Sequence, residues 1–423
     1  MKEELLHFLW QNKTLAKQAL VLSNGEETTI INAGTLNHNA GPDFFNAKIK
    51  IGKITLVGNI EIHLRASDWK KHQHQKNRNY DNVILHVVYE NDETIFDLHN
   101  KPLLTLELKK YISPKLLQRY QILFENKNKI PCEAIFSLPE KIKTSHWLQR
   151  LAIERLEQKC KRIEQLFDST NQNWEQTFYI LTAKYFGQKI NDEPFERLAK
   201  NVELKILAKH KNKLSQIEAL ILGTAGFLET KFKDEYLKFL QQEFLHLKKK
   251  YDLKTIEKSV WKFARTRPAN FPTVRLLQFA SLIYQSQHLF SKILEADTIE
   301  KLIKLYQLSQ SHIINMAELS DKKINNQKSE LGMQAIETII INTVSPILFL
   351  YGKMNDSEIH CDRSIAFLEK LSPEKNGIVS FFNALKIETK NAAQTQALLQ
   401  LKNEYCNNKK CLSCAFGNHI LCS

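Results

Sequence analysis

Apolar and polar positions fall into two regimes along the 423 residues. Up to about residue 110, short apolar runs alternate with turn residues. Leu5 to Trp10 has the spacing of an amphipathic helix. Runs at Thr28 to Ile31, Ala47 to Ile51, Ile54 to Leu64, Val83 to Tyr89 and Leu103 to Leu108 have the length and β-branched content of strands. Between the third and fourth of these lies Ser67-Asp68-Trp69-Lys70-Lys71-His72-Gln73-His74-Gln75, which predicts a short helix capped by Ser67 or Asp68. Helix, three strands, helix and two strands is the order of a mixed α/β domain. From about Pro139 the spacing becomes helical, as in Trp147, Leu148, Leu151, Ala152, Arg155 and Leu156, and it stays helical. Turn residues suggest breaks at Gly187 to Pro194, Gly223 to Gly226, Arg267 to Pro272 and Pro373 to Gly377, with no repeat of fixed period. The predicted division is an α/β domain at 1–135, a helical region at 136–400 and a cysteine-rich tail at 401–423.

Length allows two or three cores, and only 12 Gly and 10 Pro among 423 residues point to ordered structure rather than linkers. Lys and Arg number 60 against 46 acidic residues, and the net +14 favours polyanionic partners, DNA or RNA ahead of an anionic membrane. A Lys-rich chain from an AT-rich genome would show the same surplus. Met1 to Trp10 has no secretory pattern, and the most apolar stretch, Ile339 to Leu350, is interrupted by Asn342, Thr343 and Ser345 and reads as a buried helix. The expectation is a cytoplasmic protein without a membrane span.

Candidate chemistry begins with Asn39-Ala40-Gly41-Pro42-Asp43-Phe44 and Gly58-Asn59-Ile60-Glu61-Ile62-His63-Leu64-Arg65. Strand periodicity places Asn59, Glu61, His63 and Arg65 on one face and Ile60, Ile62 and Leu64 on the other. A water-facing edge strand would alternate in the same way. Pro42-Asp43, followed by an acidic residue with a basic residue two positions later, resembles the PD-(D/E)XK nucleases. That resemblance implies a restriction-endonuclease-like domain in which Asp43 and Glu61 hold Mg²⁺ or Mn²⁺, the Ile62 carbonyl adds an oxygen, and Glu4 is an outer ligand. The usual Lys is His63 here, which could act as base to the attacking water or ligate a softer metal. His86 could point inward and join Glu61 and His63, or be a hydrogen-bonded core residue. His72 and His74, two apart on a predicted helix, are expected not to share a site.

At the chain's end Cys406, Cys411 and Cys414, with Cys422 or His419 as a fourth ligand, have the spacing of a knuckle for Zn²⁺ or an iron–sulfur cluster, a frayed tail with free thiols being the alternative. Cys132, Cys160 and Cys361 read as isolated. The stretch Trp261 to Arg275 interleaves basic and aromatic residues. Arg265, Arg267 and Arg275 there, with Arg65, are candidate phosphate contacts, Trp261 or Phe271 stacking on a base; the alternative is ion-paired arginines over core aromatics.

Taken together, the Leu-His-Phe-Leu-Trp helix, the Gly-Pro-Asp-Phe turn, the Gly-Asn-Ile-Glu-Ile-His-Leu-Arg-Ala-Ser-Asp-Trp run, Asp-Asn-Val-Ile-Leu-His-Val-Val, Arg-Pro-Ala-Asn-Phe-Pro and the Cys tail resemble an uncharacterised bacterial family, chiefly from Bacteroidetes, domain of unknown function 2851. That family implies no activity. The resemblance of the Asp43, Glu61 and His63 pattern to the PD-(D/E)XK nucleases implies metal-dependent cleavage of nucleic-acid phosphodiesters, the alternative being a non-catalytic nucleic-acid-binding or adaptor protein on a degenerate nuclease fold.

Overall fold

The computed structural model describes residues 1–12, 15, 19–308, 318–319 and 330–423. The chain forms two compact units, residues 1–147 with 401–423, and residues 148–400. The boundary after α/β structure thus lies later than 135, and the tail is no separate element.

The first unit is built on a seven-stranded sheet. Its strands are β1 (Leu20–Val21), β2 (Glu27–Asn32), β3 (Thr35–Leu36), β4 (Phe44–Ile51), β5 (Ile54–Arg65), β6 (Val83–Glu90) and β7 (Thr105–Glu107), in the order β1-β2-β4-β5-β6-β7 with β3 beside β4. Strands β2, β4 and β5 are antiparallel; β5, β6 and β7 are parallel. A parallel step needs a crossover, and here it is α2 (Asp68–Lys71) followed by two short turns, His74–Lys76 and Arg78–Tyr80.

β5 is therefore a central strand with both faces covered. Ile60 and Ile62 join a large apolar core with Leu5, Leu9 and Trp10 of α1 (Glu3–Gln11) and Leu123 of α3 (Pro114–Glu125). On the other face Trp69, Val83, Val88 and Ile95 form a smaller core under the crossover. Trp10 is wholly buried and its indole N–H donates to the Ala33 carbonyl (2.9 Å), satisfying the one polar atom it carries inward.

The tail completes this core. Leu421 is part of it, Arg119 of α3 donates to the Ile420 carbonyl (2.9 Å), and Phe136 meets Phe416 with ring centroids 5.5 Å apart.

The second unit is helical. One of its helices, Met333–Met354, is long and apolar enough to cross a membrane by length and composition, which corrects the expectation that no stretch would qualify. Of its most apolar window 67% is buried inside the protein, the pattern of a core helix. Within it Pro346 has no N–H for the preceding turn, and a π-turn runs over Ile340–Val344. Lys159 donates to the Ile341 carbonyl (3.2 Å), five residues before Pro346, and to Asn342 Oδ1 (2.9 Å), and Ser364 donates to the Ser345 carbonyl (2.7 Å).

Candidate metal centre

Strand pairing and turn geometry assemble the candidate residues of the first unit. Asp43 lies just before β4, and its backbone N–H donates to Glu61 Oε2 (3.1 Å) while its own Oδ2 accepts from the Ile62 N–H (2.8 Å). This reciprocal pair sets the two carboxylates side by side at the β4–β5 junction. Parallel pairing places His86 of β6 beside Glu61, and the period of two keeps His63 on that face. Glu61 and His63 are 5% and 2% exposed, and His86 is wholly buried; a water-facing edge strand is thereby excluded.

The crossover supplies two further imidazoles, against the expectation from helical spacing. Helix α2 stops at Lys71, His72 is its C-cap, and Gln73 takes a left-handed conformation (φ 58°, ψ 31°) that reverses the chain before His74. Helical geometry no longer separates the two rings. One ligand nitrogen each from His63, His72 and His74 lies within 4.8 Å of the other two. Ser67 does not cap α2 with its side chain; it donates to Asp92 (2.7 Å), while Asp68 Oδ2 accepts from the Arg65 N–H (3.0 Å), pinning the crossover's entry.

Three of the distances among the donor atoms fall in the range between neighbouring ligands of one ion, while the group within 4.8 Å comprises the three histidines without Glu61. His63 Nε2 lies 3.4 Å from Glu61 Oε1 and 3.2 Å from His72 Nδ1, and His74 Nε2 lies 3.2 Å from the same Glu61 oxygen. Bonds of about 2.1 Å at tetrahedral or octahedral angles put neighbouring ligand atoms roughly 3.0–3.4 Å apart. Behind this shell His63 Nδ1 bonds His86 Nε2 (2.8 Å). The Tyr80 ring stacks on His74 (3.9 Å) and Trp69 lies against His74 and His86, so aromatic faces wall the cluster.

The electrostatics favour a cation. Burial, with the Asp43 charge added, holds the Glu61 carboxyl well above the usual carboxylate range. Burial and then the neighbouring imidazoles drive His63 down to about 3, and burial likewise takes His86 to about 3. His74 is lowered by burial. A protonated Glu61, which burial favours, is the state that metal binding would reverse.

On α1, Glu3 and His7 are one turn apart and face Asp43. His7 Nε2 lies 3.3 Å from Asp43 Oδ2. Burial opposes its charge, but the Asp43 hydrogen bond and charge outweigh this and raise it. Burial, then Asp43, raises Glu3. Glu4, the expected outer ligand, is exposed and lies on another side of α1.

The remaining candidates are scattered. Arg65 is exposed, with Nε 3.9 Å from Glu90. In the second unit Arg265 and Arg267 are exposed, whereas Arg275 is a core residue, 6% exposed and bonded to Asn270 (2.6 Å) and Gln278 (3.2 Å), and cannot grip a phosphate. Trp261 and Phe271 are buried too, the Trp261 indole donating to the Ala225 carbonyl (2.8 Å), so no base can stack on them. None of the seven cysteines is in a disulfide. Cys406 is half-buried, Cys411 and Cys414 are buried, and Cys422 is exposed at the end of the last helix, Ala415–Cys422; His419, on the same helix, is half-buried.

Comparison with curated proteins and with solved structures finds no match. The signature of the family described as protein of unknown function, DUF2851, matches residues 3–377, and the chain belongs to that family.

Proposed function

We propose that the first unit is a metal-dependent phosphodiesterase of the PD-(D/E)XK kind acting on nucleic acid. The observation that carries the reading is the convergence of the His63, His72 and His74 nitrogens, with the Glu61 carboxylate against His63 and His74 and next to Asp43. The element order supports it: a helix, three antiparallel strands, a crossover and a parallel strand, with Asp43 before the second strand of the three and Glu61 and His63 on the third. Imidazole nitrogens favour Mn²⁺ over Mg²⁺, which prefers oxygen.

In this reading His63 is a ligand rather than a free base, because its Nε2 faces Glu61 and His72 and its Nδ1 is engaged by His86. An ion held by Glu61, His63, His72 and His74 would supply Lewis acidity, activating a water and offsetting charge on phosphoryl oxygens. Asp43 and His7, at the open side of the site, position that water and move its proton. Exposed Arg65 steers the phosphate, helped by the chain's +14 charge.

The test is incubation of the full chain with labelled single-stranded and duplex DNA and RNA in Mn²⁺, Mg²⁺ or EDTA, beside Asp43→Ala and Glu61→Ala. Cleavage in Mn²⁺ that is lost in both variants is expected. Salt-sensitive binding without cleavage in any metal would refute the enzymatic reading and leave a nucleic-acid-binding protein on this fold.

A further inference from the structure

Four cysteines of the first unit act on one another electrostatically although one is remote from the others in sequence, their sulfurs being less tightly gathered than the nitrogens of His63, His72 and His74. Cys132 caps the turn Glu133–Ile135 after α3. Cys406 closes the turn Leu401–Cys406, Cys411 opens Cys411–Ser413, and Cys414 precedes the last helix. Cys411 belongs to the large apolar core, and Cys132, Ile135 and Leu412 pack against that same core, while the Phe136–Phe416 contact ties the two segments beside the thiols.

The local backbone is shaped around sulfur. Cys411 and Cys414 flank a tight turn closed by the Cys414 N–H on the Cys411 carbonyl (3.3 Å). A Cβ at Gly417 would stand 2.1 Å from the Cys411 carbonyl, so only glycine lets the last helix start against this turn. The backbone amides of Gly417 and Phe416 and the Trp147 side chain hydrogen-bond to the Cys414 sulfur, an arrangement that serves a thiolate.

As free thiols the four are poorly matched to their surroundings. Burial, then Cys414 and Cys411, pushes Cys132 up to about 12; burial, then Cys414, does the same to Cys411. Burial, then Cys414, Cys132 and Cys411, raises Cys406. Burial raises Cys414 as well, against the three hydrogen bonds. Cys132 and Cys406 are thus acted on by both Cys414 and Cys411, and Cys411 by Cys414.

We propose that Cys132, Cys406, Cys411 and Cys414 form a four-thiolate metal centre that fastens the C-terminal tail to the loop after α3, with Cys132 in the place expected for Cys422 or His419. A thiophilic cation offsets the charges that repel one another in this dry site, and its binding releases the thiol protons. Zinc and an iron–sulfur cluster share this ligand chemistry. The centre is independent of the one at Glu61.

The experiment is elemental analysis of the full chain purified under anaerobic conditions, with acid-labile sulfide and visible absorption. Wild type is expected to hold about one zinc, or about four iron with matching sulfide. Cys132→Ser and Cys414→Ser should each lose that metal, while Cys422→Ser and His419→Ala keep it. A wild type without metal, or metal retained by Cys132→Ser, overturns the assignment, as does loss in Cys422→Ser. In case the Cys132 variant fails to fold, thiol titration of the native wild type decides: Cys422 should react at once and the four named thiols only after chelation, and prompt reaction of Cys132 would refute the centre.

Discussion

Replacing His86 by Leu probes whether the imidazole cluster binds a metal or merely fills space. His63 can give its Nε2 lone pair to an ion only if its proton sits on Nδ1, and Nδ1 is 2.8 Å from His86 Nε2. Burial holds both rings neutral at pH 7, so a single proton is shared in that contact. Donation from His63 to His86 frees the ligand nitrogen; it leaves the remaining His86 proton on Nδ1, which is buried without a partner. Leu removes the acceptor, and His63 can then turn or protonate on the side that should face the ion. Loss of such an outer partner typically costs about 10–100-fold in metal affinity, or about 1.4–2.8 kcal/mol. The apolar side chain also removes a buried polar atom with no partner, so the metal-free protein should melt within a few degrees of wild type. His86→Gln, whose amide oxygen can accept from Nδ1, should recover most of the affinity. Calorimetric titration with Mn²⁺ of the metal-stripped full chain reads all three proteins. Equal affinities for wild type and His86→Leu would refute the argument and make His63 a core histidine.

Two further substitutions test the energetics of the second unit. Lys159 has a half-buried stem and an enclosed ammonium, and burial drives it down to about 7 from 10.5; between those values the folded chain binds fewer protons than the unfolded one, so stability rises as pH rises through the window and is lost as pH falls. From about pH 7 to 9 wild type should gain on the order of 2 kcal/mol relative to Lys159→Met in urea unfolding, below the ceiling of about 1.4 kcal/mol per pH unit, and a pH-independent difference would show that Lys159 titrates normally. Gly226 holds φ +78° and a Cβ there would lie 2.1 Å from the Ile256 carbonyl. Gly226→Ala should cost more than about 2 kcal/mol and lower Tm by several degrees, a loss that an unchanged melt would contradict.

What could be read along the chain and what could not divide by range. Alternation over 54 to 64 located β5 and assigned Glu61 and His63 to one face and Ile60 and Ile62 to the other, because a strand's period acts over its immediate neighbours. The two-residue strands β1 and β3 are too short to show any period, and they form by pairing with β2 and β4. On α1 the helical period itself distinguishes Glu3 and His7 from Glu4; the signal was present as an i, i+4 pair, but nothing local says which side of the helix meets Asp43.

The histidines and cysteines mark where local reasoning fails. Helical spacing separates His72 from His74 only while the helix continues, and one left-handed residue, Gln73, cancels it; a Gln carries none of the sequence warning that a Gly at that position would. Cys132 reads as isolated because its neighbours lie beyond residue 400, and only the docking of the tail onto the core shared with α3 brings them together. Both clusters are thus products of chain reversal and tertiary packing, and in both the residues gathered are ones that burial alone would disfavour. Apolar side chains could fill either position without leaving a carboxyl or a thiol far from its ordinary protonation. A bound cation at each place would account for the carboxyl and imidazoles at Glu61, His63 and His86, and for the thiols at Cys132, Cys406, Cys411 and Cys414, which packing alone does not.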